Sequence, residues 1–195
     1  SEGGYGDTFI DLCRAYENLG FETVDTGLIL SLQAHLWGVI FPLVNFGSQA
    51  QKKIFLDPLL KGQLIGGHAI TEPSTGSDIS SMQTTYMKVE GGYLLNGHKR
   101  FIINTPIADL LIIYAKNNQS ISSFLIQNHS ESVEFSKDFY VEAFATAPMG
   151  DIILDNYFVP EDLRIGPIDA GKAMIQSVLE LERAFLFSGI IGVMQ

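Results

Sequence analysis

The chain is short of sulfur, of charge and of bases. It holds one cysteine, Cys13, so no internal disulfide can form, and its place in a helical pattern reads as a small buried thiol suited to a reducing compartment. Charged residues make up 17% of the chain, and 12 Lys and Arg against 22 Asp and Glu leave a formal charge of −10. Basic residues are scattered and never run together, which argues against nucleic acid, because a phosphate backbone needs clustered Lys and Arg. The opening Ser1-Glu2-Gly3-Gly4 lacks a basic segment running into an apolar one, so no secretory signal is expected within these residues. Gly27 to Ala50 carries no Asp, Glu, Lys or Arg and is long enough to raise a membrane helix of ~20 residues. Gln33, His35, Pro42 and Asn45 interrupt it. No membrane span is therefore expected: the pattern predicts a buried helix from Val24 to Trp37 and a shorter segment broken near Pro42, with His35 a hydrogen-bonded interior histidine.

What is present is apolar. With 46% hydrophobic residues, the 195-residue chain can fill one sizeable domain or two small ones, and so few charges suggest further surface buried against partners. Asp7 is placed to cap a helix in which Phe9, Leu12, Tyr16 and Leu19 recur at spacings of three and four. Ser48 and Gln51 form a capping-box pattern for a helix that stops near Pro58 to Gly62. From Gln63 the texture changes to β-branched and aromatic runs: Leu64 to Ile70, Gln83 to Val89, Tyr93 to Asn96, Lys99 to Asn104, Leu110 to Tyr114, Ser122 to Gln127 and Asp151 to Leu154. Glu90-Gly91-Gly92 reads as a hairpin turn, and Val159-Pro160-Glu161-Asp162 as the turn before a last helix. The expected fold class is α+β: an N-terminal helical domain over 1–62, a middle β-barrel or sandwich domain over 63–166, and the first helix of a C-terminal helical bundle over 167–195.

Two features exceed what packing requires. Ala69-Ile70-Thr71-Glu72-Pro73-Ser74-Thr75-Gly76-Ser77-Asp78 runs from apolar residues into a turn dense in hydroxyls. Pro73 fixes one torsion and Gly76 permits a positive φ, so the turn can aim N–H groups and the Thr71, Ser74, Thr75 and Ser77 hydroxyls at one ligand, although an ordinary turn uses the same residues. In the last helix, at about 100° per residue from Met174, Glu182 falls at about 80°, inside an apolar stripe with Val178 at about 40° and Leu186 at about 120°. Desolvation there raises a carboxyl pKa, which is how a general base is tuned; the alternatives are a cation partner from another segment or a solvated gap. Glu180 and Arg183 fall on the opposite side of the wheel.

The string ending in Asp78 closely resembles the T-E-P-x-x-G-S-D signature of the acyl-CoA dehydrogenase family, and the resemblance extends over nearly the whole chain. Gly3-Gly4-Tyr5-Gly6 and Gly47 to Lys53 are weak matches to its N-terminal segments; Asn96 to Asn104 is similar to its N-G-x-K-x-W-I-T-N strand, and Leu154 to Pro160 to its strand ending in V-P. The resemblance implies FAD as cofactor, with His68, Ile70, Thr71, Gly76, Ser77, Phe101, Ile102 and Ile103 as cofactor-binding positions. Phe101 stands where Trp is usual, and Ile103 replaces a hydroxyl residue near flavin N5. Glu182-Arg183 resembles the E-R pair of the branch that includes isovaleryl-CoA dehydrogenase, which implies Glu182 as the base for the pro-R α-proton and Ser77, Glu180 and Arg183 as substrate positions. No metal is implied.

The family continues beyond the point that corresponds to Gln195, with helices that complete the bundle, the adenine site and most tetramer contacts, so a piece of a longer protein or one half of a heteromeric enzyme is expected. By resemblance the whole is a homotetramer or homodimer, cytoplasmic or in the mitochondrial matrix of a eukaryote, with an electron-transfer flavoprotein or oxygen as electron acceptor. Three functions compete: FAD-dependent dehydrogenation of an acyl-CoA to the 2,3-unsaturated product, the same flavin chemistry on an aminoacyl or acyl group bound to a carrier protein, and a non-catalytic subunit in which Ile103 marks lost turnover.

Overall fold

The computed structural model describes residues 8–127, 133–135, 139 and 141–195. Gly3 to Gly6 and the proposed cap Asp7 lie outside the described residues. The chain order is α1 (Phe9–Thr23), α2 (Thr26–His35), a π-helical turn (Leu36–Ile40), α3 (Phe41–Phe46) and α4 (Gln49–Leu60). The strands follow: β1 (Gly66–Ala69), β2 (Thr85–Val89), β3 (Gly92–Ile103), β4 (Leu110–Asn117), β5 (Ser120–Gln127), β6 (Val133–Phe135), β7 (Met149–Pro160) and β8 (Arg164–Ile165). The helix α5 (Gly171–Met194) ends the series.

The first helix is capped by Thr8, whose hydroxyl accepts from the Asp11 N–H while Asp11 bonds back to the Thr8 backbone. Of its expected stripe Tyr16 is buried, but Phe9 is 61% exposed. Cys13 is half-buried rather than buried; among the described residues α1 packs chiefly on α5 and, less, on α2. Contact with α5 is backbone to backbone: a Cβ at Gly20 would sit 2.0 Å from the Gly189 carbonyl oxygen, and one at Gly192 would sit 1.9 Å from that of Glu17.

Thr26–Phe46 has the length and apolarity of a membrane span, with 21 residues and a mean hydropathy of 1.7, but over half of its most apolar window is buried within the fold. It runs through Pro42 without the expected break. The π-turn before it donates Phe41 N–H to the Leu36 carbonyl, five residues back, so the helix is already widened where proline cannot donate. The capping box at Ser48 forms, and α4 ends at Leu60. His35 is an interior residue: Nδ1 accepts from the Gly66 N–H at 2.9 Å, and Nε2 donates to the Leu59 carbonyl at 3.1 Å.

The strands form one sheet in the order β6-β7-β3-β2-β4-β5-β8, with β1 added in parallel along β4. All pairs except β1 with β4 and β2 with β4 are antiparallel. The sheet wraps onto itself: the Phe124 ring of β5 lies 5.1 Å from Tyr86 of β2 and 5.0 Å from Tyr93 of β3. Alternation along β4 splits it between two cores. Leu111, Ile113 and Ala115 face the interior of the wrapped sheet with Leu95, Ile152 and Leu154. Leu110, Ile112 and Tyr114 face the helices, against Val39, Leu43, Leu59 and Met174.

The runs read as separate strands, Tyr93 to Asn96 and Lys99 to Asn104, are one strand, β3, bent where its register with β7 shifts between Leu95 and Gly97 and between Lys99 and Ile102. Gly97 is required at the first bend, since a Cβ there would meet the Thr84 Cα at 2.7 Å. The short β6, which carries no long β-branched run, was not anticipated; it exists by pairing with β7. The hairpin turn falls at Gly91 as expected, with φ +75.

Candidate active site

The hydroxyl-rich turn hangs on β3. Glu72 and Thr75 exchange backbone hydrogen bonds of 2.8 and 3.1 Å, so Pro73 and Ser74 form the corner. Gly76 lies outside that corner and does not take a positive φ; a Cβ there would meet no protein atom. The corner carries Ser74 to the exposed surface, and Thr75 turns inward to donate to the Ser81 carbonyl at 3.2 Å, so neither joins Thr71 and Ser77 on the cleft.

Beneath the turn lies a fully buried ion pair. The Lys99 ammonium donates to Glu72 Oε1 at 2.8 Å and to the Ile70 carbonyl at 3.1 Å. Glu72 also accepts the backbone N–H groups of Gln83 and Thr84. Burial pulls the Lys99 pKa down to about 8 against the opposing pull of Glu72. Burial likewise works against the Glu72 charge, but Lys99 and the hydrogen bonds hold its carboxyl below the usual range. The next residue, Arg100, donates its N–H to the Thr71 carbonyl at 2.9 Å.

Phe101 then takes φ +57, rare for an aromatic residue, with its N–H 3.3 Å from Asp151 Oδ1. That bulge turns its ring outward, 49% exposed and 5.2 Å from the Phe139 ring, while Ile102 stays buried. The Arg100 guanidinium lies over both rings. Asn104 ends the strand, bonding through its amide to the carbonyls of Ser31 and Gly66 and so tying β3 to α2 and β1.

The third wall is α5. Its register is set by Phe185: the Phe185 ring stacks 4.8 Å from that of Trp37, and the Phe185 carbonyl accepts from Gln33 Nε2 at 3.3 Å. Glu182 then faces β1, with Oε1 at 3.2 Å from His68 Nε2. Burial pulls the His68 pKa down, but the adjacent Glu182 carboxylate overrides this and leaves it above the ordinary histidine value. The partner foreseen as an alternative for Glu182 thus exists, and it is a histidine.

These walls enclose a cleft of about 560 Å³. It is lined by every expected cofactor position, His68, Ile70, Thr71, Gly76, Ser77, Phe101, Ile102 and Ile103, together with Glu182 and Arg183. Glu180 does not line it and is exposed on the outer face of α5. Leu30, Gln33, Ala34, Ile79, Leu179, Leu186 and Phe187 also line the cleft and were not foreseen. Gln33 carried a signal, as a lone amide in an uncharged helix; the others are apolar residues that only their neighbours distinguish. Two buried polar atoms on lining residues, Gln33 Oε1 and His68 Nδ1, have no hydrogen-bond partner among the described residues.

Helices packed on a wrapped sheet, with a carboxylate on a late helix facing a T-E-P-S-T-G-S-D turn, define the acyl-CoA dehydrogenase type of fold. The chain belongs to the acyl-CoA dehydrogenase family: residues 1–63 match its N-terminal domain and residues 67–157 its middle domain. It is 38% identical over 188 residues to an L-prolyl-[peptidyl-carrier protein] dehydrogenase from Serratia sp., covering 94% of this chain and 49% of that protein. It is 33% identical over 198 residues to the mitochondrial isovaleryl-CoA dehydrogenase of Solanum tuberosum, covering 99% and 48%. Among solved structures, PigA with FAD and proline superposes with a TM-score of 0.95 at 37% identity, covering 98% of this chain and 51% of that one. The chain thus spans about half the length of the relatives it matches.

Proposed function

We propose that this chain carries the catalytic half of a flavin-dependent acyl-thioester dehydrogenase, with Glu182 as the general base. The observation that supports it best is the convergence of Glu182, the Thr71 to Ser77 turn and the outward Phe101 ring on one cleft. The residues fit a flavin ring: Phe101 to Ile103 offer a flat apolar wall, and the Thr71 and Ser77 hydroxyls on the facing turn are available for polar edges. PigA, a structural relative, is described with FAD. When bound, the flavin supplies the two-electron acceptor for the β-hydride.

Glu182 takes the proton from the carbon α to the thioester carbonyl as the hydride leaves the β-carbon, so the product gains a 2,3-double bond. Thr71 and Ser77 orient the reacting groups, the apolar walls exclude water, and Arg183 flanks the cleft for the thioester's carrier. Ile103 supplies packing alone at its position. Between the two thioester classes, a carrier-bound aminoacyl group is favoured. What favours it is that the Serratia relative, 38% identical, is named for a prolyl carrier-protein substrate.

The test is anaerobic. The visible spectrum of the full-length protein with bound flavin is followed as prolyl-carrier protein or isovaleryl-CoA is added. Bleaching with the carrier-bound substrate supports the full proposal, and bleaching with the CoA ester alone transfers it to acyl-CoA. Bleaching that persists in Glu182→Gln refutes the role of Glu182, and an intact protein that binds no flavin refutes the reading itself.

A further inference from the structure

Glu182 as a base has an unusual companion. His68 occupies the middle of β1, where Gly38 leaves room for its ring: a Cβ at Gly38 would lie 2.9 Å from His68 Cγ. The imidazole is thereby backed by the helix at Gly38, and its Nε2 lies 3.2 Å from the α5 carboxylate. Both side chains are largely buried, with 14% of His68 and 19% of Glu182 exposed. An ionised carboxylate so placed pays for desolvation unless something holds its charge.

We propose that His68 is the positioning residue of the base: its Nε2–H binds Oε1 of Glu182, leaving Oε2 to receive the substrate proton, and the imidazolium keeps the carboxylate ionised in the closed cleft. This rests on Glu182 being the base. Among the described residues, the surrounding groups leave His68 as the one cation positioned to do this. On the helical run, His35 commits both ring nitrogens to Gly66 and Leu59. On β3, Lys99 is committed to Glu72 and Ile70. On β4, Tyr114 presents a buried hydroxyl without a partner among the described residues, and burial, then the Glu182 charge, drive its pKa up, so it stays neutral. On α5, Arg183 is the other cation of the cleft, with its residue on the exposed side of the helix.

A residue that only filled space would leave the proton affinity of Glu182 unchanged when replaced. A positioning cation would not. The loss of its charge makes the carboxylate easier to protonate, so the pH below which the base fails must rise.

Two measurements on the full-length flavoprotein test this. The first follows ring nitrogens by ¹⁵N NMR, with the His68 signal assigned by its loss in His68→Gln. In the wild type His68 remains protonated above the ordinary histidine range, and in Glu182→Gln its titration falls by at least about one pH unit, a tenfold change in proton affinity. The second is the pH dependence of flavin bleaching by the active thioester under anaerobic single turnover. In His68→Leu the acidic limb moves up by at least about one unit and the plateau rate falls by about 10²-fold, the range typical of acid–base catalysis. In His68→Gln, which restores a donor without charge, the plateau recovers to within about tenfold of wild type while the limb stays displaced. A His68 titration that ignores Glu182→Gln, or an acidic limb unmoved in both His68 variants, overturns the proposal. Wild-type bleaching abolished by Glu182→Gln in that case leaves the dehydrogenase reading standing, whereas bleaching by Glu182→Gln itself removes the role of Glu182 on which this proposal rests.

Discussion

Replacing Lys99 by Met deletes the cation under the T-E-P turn while keeping most of its volume. The ammonium has no exposed surface and holds two acceptors, Glu72 Oε1 at 2.8 Å and the Ile70 carbonyl at 3.1 Å. Its loss leaves a buried carboxylate with only the Gln83 and Thr84 N–H groups and strands the carbonyl, and breaking a buried pair in this way costs about 3–5 kcal/mol. That is a large share of a domain stability of about 5–15 kcal/mol. Glu72→Gln in the same background removes the stranded charge, and its one side-chain oxygen still accepts from one of the two N–H groups, which in the wild type bond to different carboxylate oxygens. The double variant should therefore recover a coupling of at least about 2 kcal/mol, within the range for residues in direct contact. Urea denaturation of the full-length protein, with the four members of the cycle at pH 7, measures it. Because the Glu72 carboxyl is held below its unfolded value, its stabilising share is present above about pH 4.3 and lost as pH falls through the folded pKa, so the single-variant cost must shrink in acid. A single variant costing under about 1 kcal/mol, or additive losses in the double, would refute the view that this pair clamps the turn.

Gly192→Ala places a methyl 1.9 Å from the Glu17 carbonyl oxygen and should cost about 1–3 kcal/mol or more in thermal unfolding, by forcing α1 off α5. Phe101→Ala removes a ring that is 49% exposed, so melting should change by under about 1 kcal/mol while the ratio of flavin to protein after gel filtration falls. Burial depresses the His35 pKa, so its neutral form stabilises the fold at neutral pH, and that share is lost as pH falls through about 6.5 toward the folded value. His68 has the opposite sign: its share is full below about 6.5 and lost as pH rises through its raised pKa. His35→Gln should accordingly flatten the melting curve between about pH 7.5 and 5.

The sequence reveals elements where one local rule acts alone. The Ser48 and Gln51 capping box, the turn at Gly91 and the buried side of Glu182 each follow from a spacing of a few residues. It misleads where a distant partner decides. Pro42 signals a break, yet the π-turn ahead of it relieves the missing donor. Gly76 signals a positive φ, yet the closed bridge at Glu72 and Thr75 moves the corner to Pro73 and Ser74. Glu180 seemed to share a segment with Glu182, but two residues along a helix rotate it by about 200° and out of the cleft. His68 and Glu182 lie 114 positions apart in the chain, and no local pattern can announce a pair set by the crossing of β1 and α5.

The site is held by a buried ion pair where the sequence looked most like loop. The T-E-P turn owes its position to an ion pair whose two members come from the turn and from β3, and the same strand, two residues beyond Lys99, throws Phe101 outward at φ +57. One strand therefore fixes both the floor and one wall of the cleft, while the opposite wall is set independently, by the stacking of Phe185 on Trp37 and the Gln33 hydrogen bond. The α5 wall meets β1 through the contact of Glu182 with His68. A change in the seating of α5 is thus felt first at the proton acceptor and only afterwards at the wall assigned to the flavin, so variants on the outer face of α5 should alter the rate of bleaching before they alter flavin retention.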